Sequence, residues 1–144
     1  MKRYSVSDVK NNPEKIYVFG DNLIKKGFAG QAVIRVCQNT IGIPTKRVPS
    51  MRENSFFSDK RDELRAVVFA LNKVRDALVE GKTIVLPEDG IGTGLAQMGE
   101  RSPIIFKKMN EYLQKLNSNY MKKSEISSSL DENKREVPSS TISL

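Results

Sequence analysis

Four strand-forming residues run together at Ile16-Tyr17-Val18-Phe19 and stop at Gly20-Asp21-Asn22, the pattern of a short buried strand ending in a turn. After a glycine-rich stretch, Gly27-Phe28-Ala29-Gly30, the residues from Gln31 to Cys37 are long enough for two turns of helix. Ile41-Gly42-Ile43-Pro44 then reads as a second short strand. Residues 45–57 carry Pro49, many polar side chains and no sustained period, so an extended loop is expected, in which Phe56-Phe57 either stack on a base beside Arg52 and Lys60 or, the favoured reading, anchor the loop on the core.

The next helix has the strongest periodic signal. Leu64, Val67, Val68, Leu71, Val74 and Leu78 follow three-and-four spacing, Ser58 or Asp59 can cap the start, and Gly81 suits a left-handed stop. Asp62 and Glu63 in the first turn complement the helix dipole. Thr83-Ile84-Val85-Leu86 reads as a third strand closed by Pro87. A last helix begins with Ser102 as cap and Pro103 in its first turn, burying Ile105, Phe106, Met109, Leu113 and Leu116. Strand and helix therefore alternate three times, which predicts an α/β fold: a small, mainly parallel sheet covered by helices. In such sheets ligands gather beyond the carboxyl ends of the strands, where the turn after Phe19 and the loop after Leu86 should emerge together.

Composition narrows the chemistry. The 144 residues contain no histidine, which removes Ser-His-Asp and Cys-His dyads and imidazole zinc sites; no metal site and no cofactor are expected. The single Cys37 sits in an apolar context and reads as a small hydrophobe. No apolar run approaches the roughly 18 residues of a membrane helix, and no apolar segment follows the basic start, so no membrane partner and a cytoplasmic location are expected. Residues 1–117 form the expected domain and 118–144, rich in serine and charge, an expected disordered polar tail. Basic and acidic residues balance in that tail, so the net charge of +7 belongs to the body and favours an anionic partner.

The chemistry-bearing residues lie in the two loops. Gly90, Gly92, Gly94 and Gly99 fall between the third strand and the last helix cap, where glycine lets main-chain N–H groups converge on an anion. Thr93 adds a hydroxyl donor. The loop matches neither the G-x-x-x-x-G-K-[ST] phosphate loop nor G-x-G-x-x-G. A plain glycine turn is the alternative. Across the sheet end, Asp21 and Asn22 can bond ribose hydroxyls, or form an Asx turn, while Gly27 and Gly30 permit close backbone approach. Asp21 and Asp89 are the candidate general bases, each equally able to serve as a turn residue. Lys25, Lys26, Lys46, Arg47, Arg52, Lys60 and Arg61 could neutralise phosphate or simply be solvated.

Val85-Leu86-Pro87-Glu88-Asp89-Gly90-Ile91-Gly92-Thr93-Gly94-Leu95-Ala96 followed by a helix resembles the diphosphate-binding strand-loop-helix of macrodomains, which are ADP-ribose-binding modules and ADP-ribosyl hydrolases. Phe19-Gly20-Asp21-Asn22-Leu23 with Lys26 to Ala32 is similar to their earlier glycine-rich loop. With Gly42-Ile43-Pro44-Thr45-Lys46 between, the pattern also resembles small uncharacterised bacteriophage proteins; the resemblance covers roughly residues 15–116. It implies that Asn22 contacts the distal ribose, that Gly27 and Gly30 border the diphosphate, and that Gly90, Gly92, Thr93 and Gly94 wrap its other side. Gln31 and Ile91 complete the implied binding set. The Asn-Ala-Ala-Asn string of macrodomains is missing, a departure that bears on catalysis more than on binding.

Three functions follow as expectations. The first is binding of a phosphate-bearing nucleotide of ADP-ribose type in a two-loop cleft, with sequestration of a nucleotide signal in phage counter-defence as its biological form. The second is ADP-ribosyl hydrolysis of the same ligand class. The third is a basic nucleic-acid-binding module, ranked last because no helix-turn-helix, zinc or RNA-recognition pattern is present.

Overall fold

Tyr17, Val18 and Phe19 are apolar in succession because both faces of their strand are covered. In the computed structural model, which describes residues 4–121, β1 (Lys15–Asn22) is the centre of a three-stranded sheet. Its neighbours are β2 (Thr40–Lys46) and β3 (Thr83–Val85), both parallel to it. Val18 packs with α2 (Arg61–Val79) and α4 (Pro103–Leu116) through Val67, Leu71, Val74, Ile105 and Met109. Tyr17 and Phe19 pack with Val9 of α1 (Val6–Lys10) and with Ala32, Ile34 and Cys37. The alternation of side chains across the pleat thus sorts one apolar run into two cores. The expected class, a small α/β fold with a parallel sheet surrounded by helices, is observed.

Several boundaries differ from the sequence expectation. The Gly20-Asp21-Asn22 turn is the end of β1 itself, paired with Ile43, Pro44 and Lys46, with a register shift between Asp21 and Asn22. At that shift the Asn22 N–H donates to Asp21 Oδ1 at 2.8 Å, so the side chain takes a donor diverted from the ladder. β2 accordingly runs on to Lys46, and Pro44 is tolerated because β2 is an edge strand. The segment expected as two α-helical turns is a 3-10 helix, Gly30–Val36. Its β-branched Val33, Ile34 and Val36 and its short length favour the tighter winding. β3 stops at Val85; the Leu86 carbonyl receives the Tyr4 hydroxyl instead of a strand partner. α1, with a Ser5–Asp8 capping box, and the one-turn α3 (Met98–Arg101) had no periodic signal. After α4 the chain continues in a π-helical turn, Asn117–Met121, where a polar tail was expected, because Leu116 and Tyr120 still pack on the core. The rest of that expected tail, from residue 122, lies outside the described residues. Among the described residues no helix is long and apolar enough to cross a membrane.

The helix caps are exchanged between elements. Lys60, not Ser58 or Asp59, precedes α2, and the fully buried Glu63 accepts from the Lys60 and Ser58 N–H groups at 2.9 and 2.8 Å. Asp59 reaches α4 instead, accepting from Ile104 and Ile105 at 3.2 and 2.9 Å, while the Ser102 hydroxyl turns back to the Met98 carbonyl. Asp59 does this with φ 63°, in the left-handed region that asparagine tolerates and alanine does not. Asp59→Ala is expected to cost about 1–2 kcal/mol in urea denaturation, and Asp59→Asn markedly less; equal losses would show that the cap is not the operative contact. As expected, Gly81, φ 87°, forms the left-handed stop just beyond α2, where Lys82 N–H bonds the Ala77 carbonyl and Gly81 N–H that of Leu78.

Candidate functional site

β1 and β2 end together, and the chain leaves each into a loop on the same side of the sheet. A cleft of about 800 Å³ opens there, walled by three segments: Gly20 to Ala32, Thr45 to Met51, and Asp89 to Ala96. Of the residues singled out in the sequence, Asp21, Asn22, Gly27, Gly30, Gln31, Asp89, Gly92, Thr93 and Gly94 line it. Gly90 and Ile91 do not. Ile91 is buried in the core under the loop, and Gly90 faces away toward Pro87 and α4.

Gln31 joins the two glycine loops. Its Oε1 accepts the Gly20 N–H at 2.7 Å and its Nε2 donates to the Gly90 carbonyl at 3.0 Å, so one amide spans from the central strand to the far wall. Gly20 makes room for this: a Cβ there would stand 3.3 Å from Gln31 Oε1.

Arg35 organises the first loop and was not recognised from sequence. Its guanidinium pairs with Asp21 through both Nε and Nη2 and donates to the carbonyls of Gly27 and Lys26. It lies 6.0 Å from the Phe19 ring centroid and 5.8 Å from that of Phe28. The only sequence cue was a charge inside the apolar run Ala32-Val33-Ile34-Arg35-Val36. Asn22 brackets the same loop from within: Nδ2 donates to the Lys26 carbonyl at 2.8 Å and Oδ1 accepts its N–H at 3.3 Å. Asp21 and Asn22 are therefore both engaged by the protein, in ion pair and turn respectively.

The second loop is shaped by Gly90 and Gly92, with φ 88° and 80°, and by the Thr93 hydroxyl, which donates to the Asp89 carbonyl at 2.9 Å rather than standing free as a donor. Met98 N–H closes the turn on the Gly92 carbonyl at 3.1 Å. Among the described residues, the N–H groups of Gly27, Ala29, Thr93, Gly94 and Leu95, all in the cleft wall, donate to no protein acceptor. The Asp89 carboxylate also lines the cleft and makes no ion pair among those residues.

The third wall, Thr45 to Met51, had no sequence signal beyond its basic residues and the end of the Gly42-to-Lys46 pattern at Thr45 and Lys46. Lys46 reaches the Ser50 carbonyl and lies 4.7 Å from the buried Phe56 ring, on whose face the Arg101 guanidinium also sits at 3.9 Å. Burial, and then the charge of Arg101, pull the Lys46 amine below its ordinary pKa. Lys26 and Lys46 line the cleft. Arg47 does not: it turns outward to pair with Asp62 and the buried Glu63, anchoring the loop to α2. Phe56 and Phe57 are buried, as an anchor requires.

No group of three or more His, Cys, Asp or Glu residues that could hold a metal occurs among the described residues. The cleft is therefore lined by residues whose main-chain N–H groups have no acceptor among the described residues, by two lysines and by Asp89, with apolar Met51, Pro49 and Leu95 at its walls. No curated protein and no solved structure matches the chain. Residues 1–112 match the model of a family of unknown function, DUF7831, and the chain belongs to that family.

Proposed function

We propose that the protein binds a phosphate-bearing nucleotide of ADP-ribose type in this cleft, in the manner of a macrodomain, and holds it rather than turning it over. The observation that carries the reading is the convergence of two glycine loops on one cleft, with main-chain donors from both, Gly27 and Ala29 opposite Thr93, Gly94 and Leu95, that have no acceptor among the described residues. N–H groups in such concavities favour anions, and a diphosphate offers oxygens to both sides. Lys26 and Lys46 add charge. The exposed apolar side chains of Met51 and Leu95 suit the face of a base.

Capture is favoured over hydrolysis because the Asp21 carboxylate is buried and held by Arg35 and the Asn22 N–H. A sponge for a nucleotide signal, as in phage counter-defence, is the biological form that fits capture. Hydrolysis is the second reading, and Asp89 is the residue that favours it, as a cleft-lining carboxylate able to orient water.

A nucleotide panel including ADP-ribose, AMP and inorganic diphosphate tests the proposal by thermal unfolding. A ligand at a hundredfold excess over its Kd stabilises the native state by about 2.7 kcal/mol, a rise of roughly 10 °C in Tm for a domain of this size. No shift with any member would sink the reading. Ligand recovered unchanged from the denatured complex indicates capture; recovery of cleaved product replaces capture by hydrolysis.

A further inference from the structure

A second concavity, of about 710 Å³, lies between the Asp21-Asn22 strand end and the stretch of α2 from Leu64 to Lys73. Its floor is aliphatic, formed by Leu23, Pro44 and Leu64, and its rim carries Lys25, Arg65 and Lys73. None of these three cations pairs with a carboxylate among the described residues. Between two of them stands Phe69, 65% exposed, with the Lys73 amine 4.9 Å from its ring centroid.

Arg65, Phe69 and Lys73 are spaced i, i+4, i+8, so they fall on one face of α2, each about 6 Å further along the axis. A row of cation, aromatic ring, cation is complementary to an extended single strand, in which phosphates and bases alternate along the backbone. Lys25 faces this row from the loop after β1, held there by a left-handed backbone at φ 54°. The body's net positive charge supplies the long-range attraction. An acidic peptide would satisfy the same cations but would leave the ring without a stacking partner.

We propose that this α2 groove binds single-stranded nucleic acid, with Phe69 stacking a base and Arg65, Lys73 and Lys25 contacting the flanking phosphates. The groove shares Asp21 and Asn22 with the wall of the glycine-loop cleft, but Lys25, Arg65, Phe69 and Lys73 line the groove alone.

The test is fluorescence anisotropy of labelled oligo(dT) of twelve nucleotides with the full chain at 50 and 200 mM salt. Binding should weaken as salt rises, since each phosphate contact on a single strand contributes a slope of about −0.7 in log K against log salt. Phe69→Ala should weaken binding by roughly 5- to 150-fold, the range for loss of one stacked base. The double variant Arg65→Glu/Lys73→Glu should weaken it further and flatten the salt slope by more than one. Both substitutions are at exposed helix positions, and an unchanged far-ultraviolet spectrum and Tm show that the fold is retained. Gly94→Leu, in the other cleft, should leave oligonucleotide affinity as it was. Absence of binding at 50 mM salt, parental affinity in both groove variants, or displacement of the oligonucleotide by equimolar polyglutamate of similar length would each overturn the proposal, the last in favour of an acidic protein segment.

Discussion

Arg35→Leu is expected to destabilise the protein by about 3 kcal/mol, the scale of removing one partner from a buried ion pair. The Asp21 side chain is only 7% exposed and the Arg35 side chain 17%, so loss of the cation leaves a carboxylate that solvent reaches poorly. The Gly27 carbonyl loses its donor in the same step and the Lys26 carbonyl keeps only Asn22 Nδ2, so among the described residues the Lys26-Gly27 segment loses its side-chain hydrogen bonds to the 3-10 helix. Two consequences should be separable. Urea denaturation should show the stability loss, and the companion Asp21→Leu/Arg35→Leu should recover part of it, because a matched apolar pair leaves no orphaned charge. Ligand-induced stabilisation should not recover in the double variant, because Gly27 and Ala29 would still lack the anchor that positions them. Strict additivity of the two single losses would mean that the pair does not act as a unit.

This pair also shows where sequence reasoning stops. The three strands, the two long helices and their alternation were legible because each rests on local signals: a β-rich apolar run, three-and-four spacing, Gly81 after a helix and Pro103 at the start of one. The two glycine loops were legible as neighbours because parallel topology places strand ends together. What was not legible depends on contacts between distant positions. Asp59 caps a helix whose first residues lie more than forty positions on, so a local rule assigned it to the nearer helix. Arg35 meets Asp21 only after the 3-10 segment folds back over Phe19. The wall from Thr45 to Met51 has no period because it is shaped by a bridge between Lys46 and Phe56 and by the Arg47 pairs, none of which follows a repeat. Gln31 was expected at the site, but its role as a strut between loops needs both ends to be seen at once.

Gly92→Val and Gly94→Leu are expected to separate the two reasons a loop can contain glycine. A Cβ at Gly92 would run into the side chain of Met98, which is fully buried, and the φ of 80° is one that a β-branched residue strongly resists. Strain and overpacking together should cost on the order of 4 kcal/mol, seen as a large fall in Tm with or without nucleotide. Gly92 is thus a glycine that the core requires, and its loss says little about phosphate. Gly94 differs on both counts: its φ lies outside the left-handed region, and a Cβ would meet nothing within 4 Å. The fold places no demand for glycine there, yet the residue stands in the cleft wall between Thr93 and Leu95, whose N–H groups have no acceptor among the described residues. Close approach of a ligand to the backbone is the demand that remains. Gly94→Leu should therefore keep the Tm of the unliganded protein within a few degrees, an effect below about 1 kcal/mol, while abolishing most of the stabilisation by ADP-ribose or its congeners. If Gly94→Leu retains the full ligand shift, the anion does not lie against the second loop, and the two-loop reading of the cleft fails even if a nucleotide binds elsewhere.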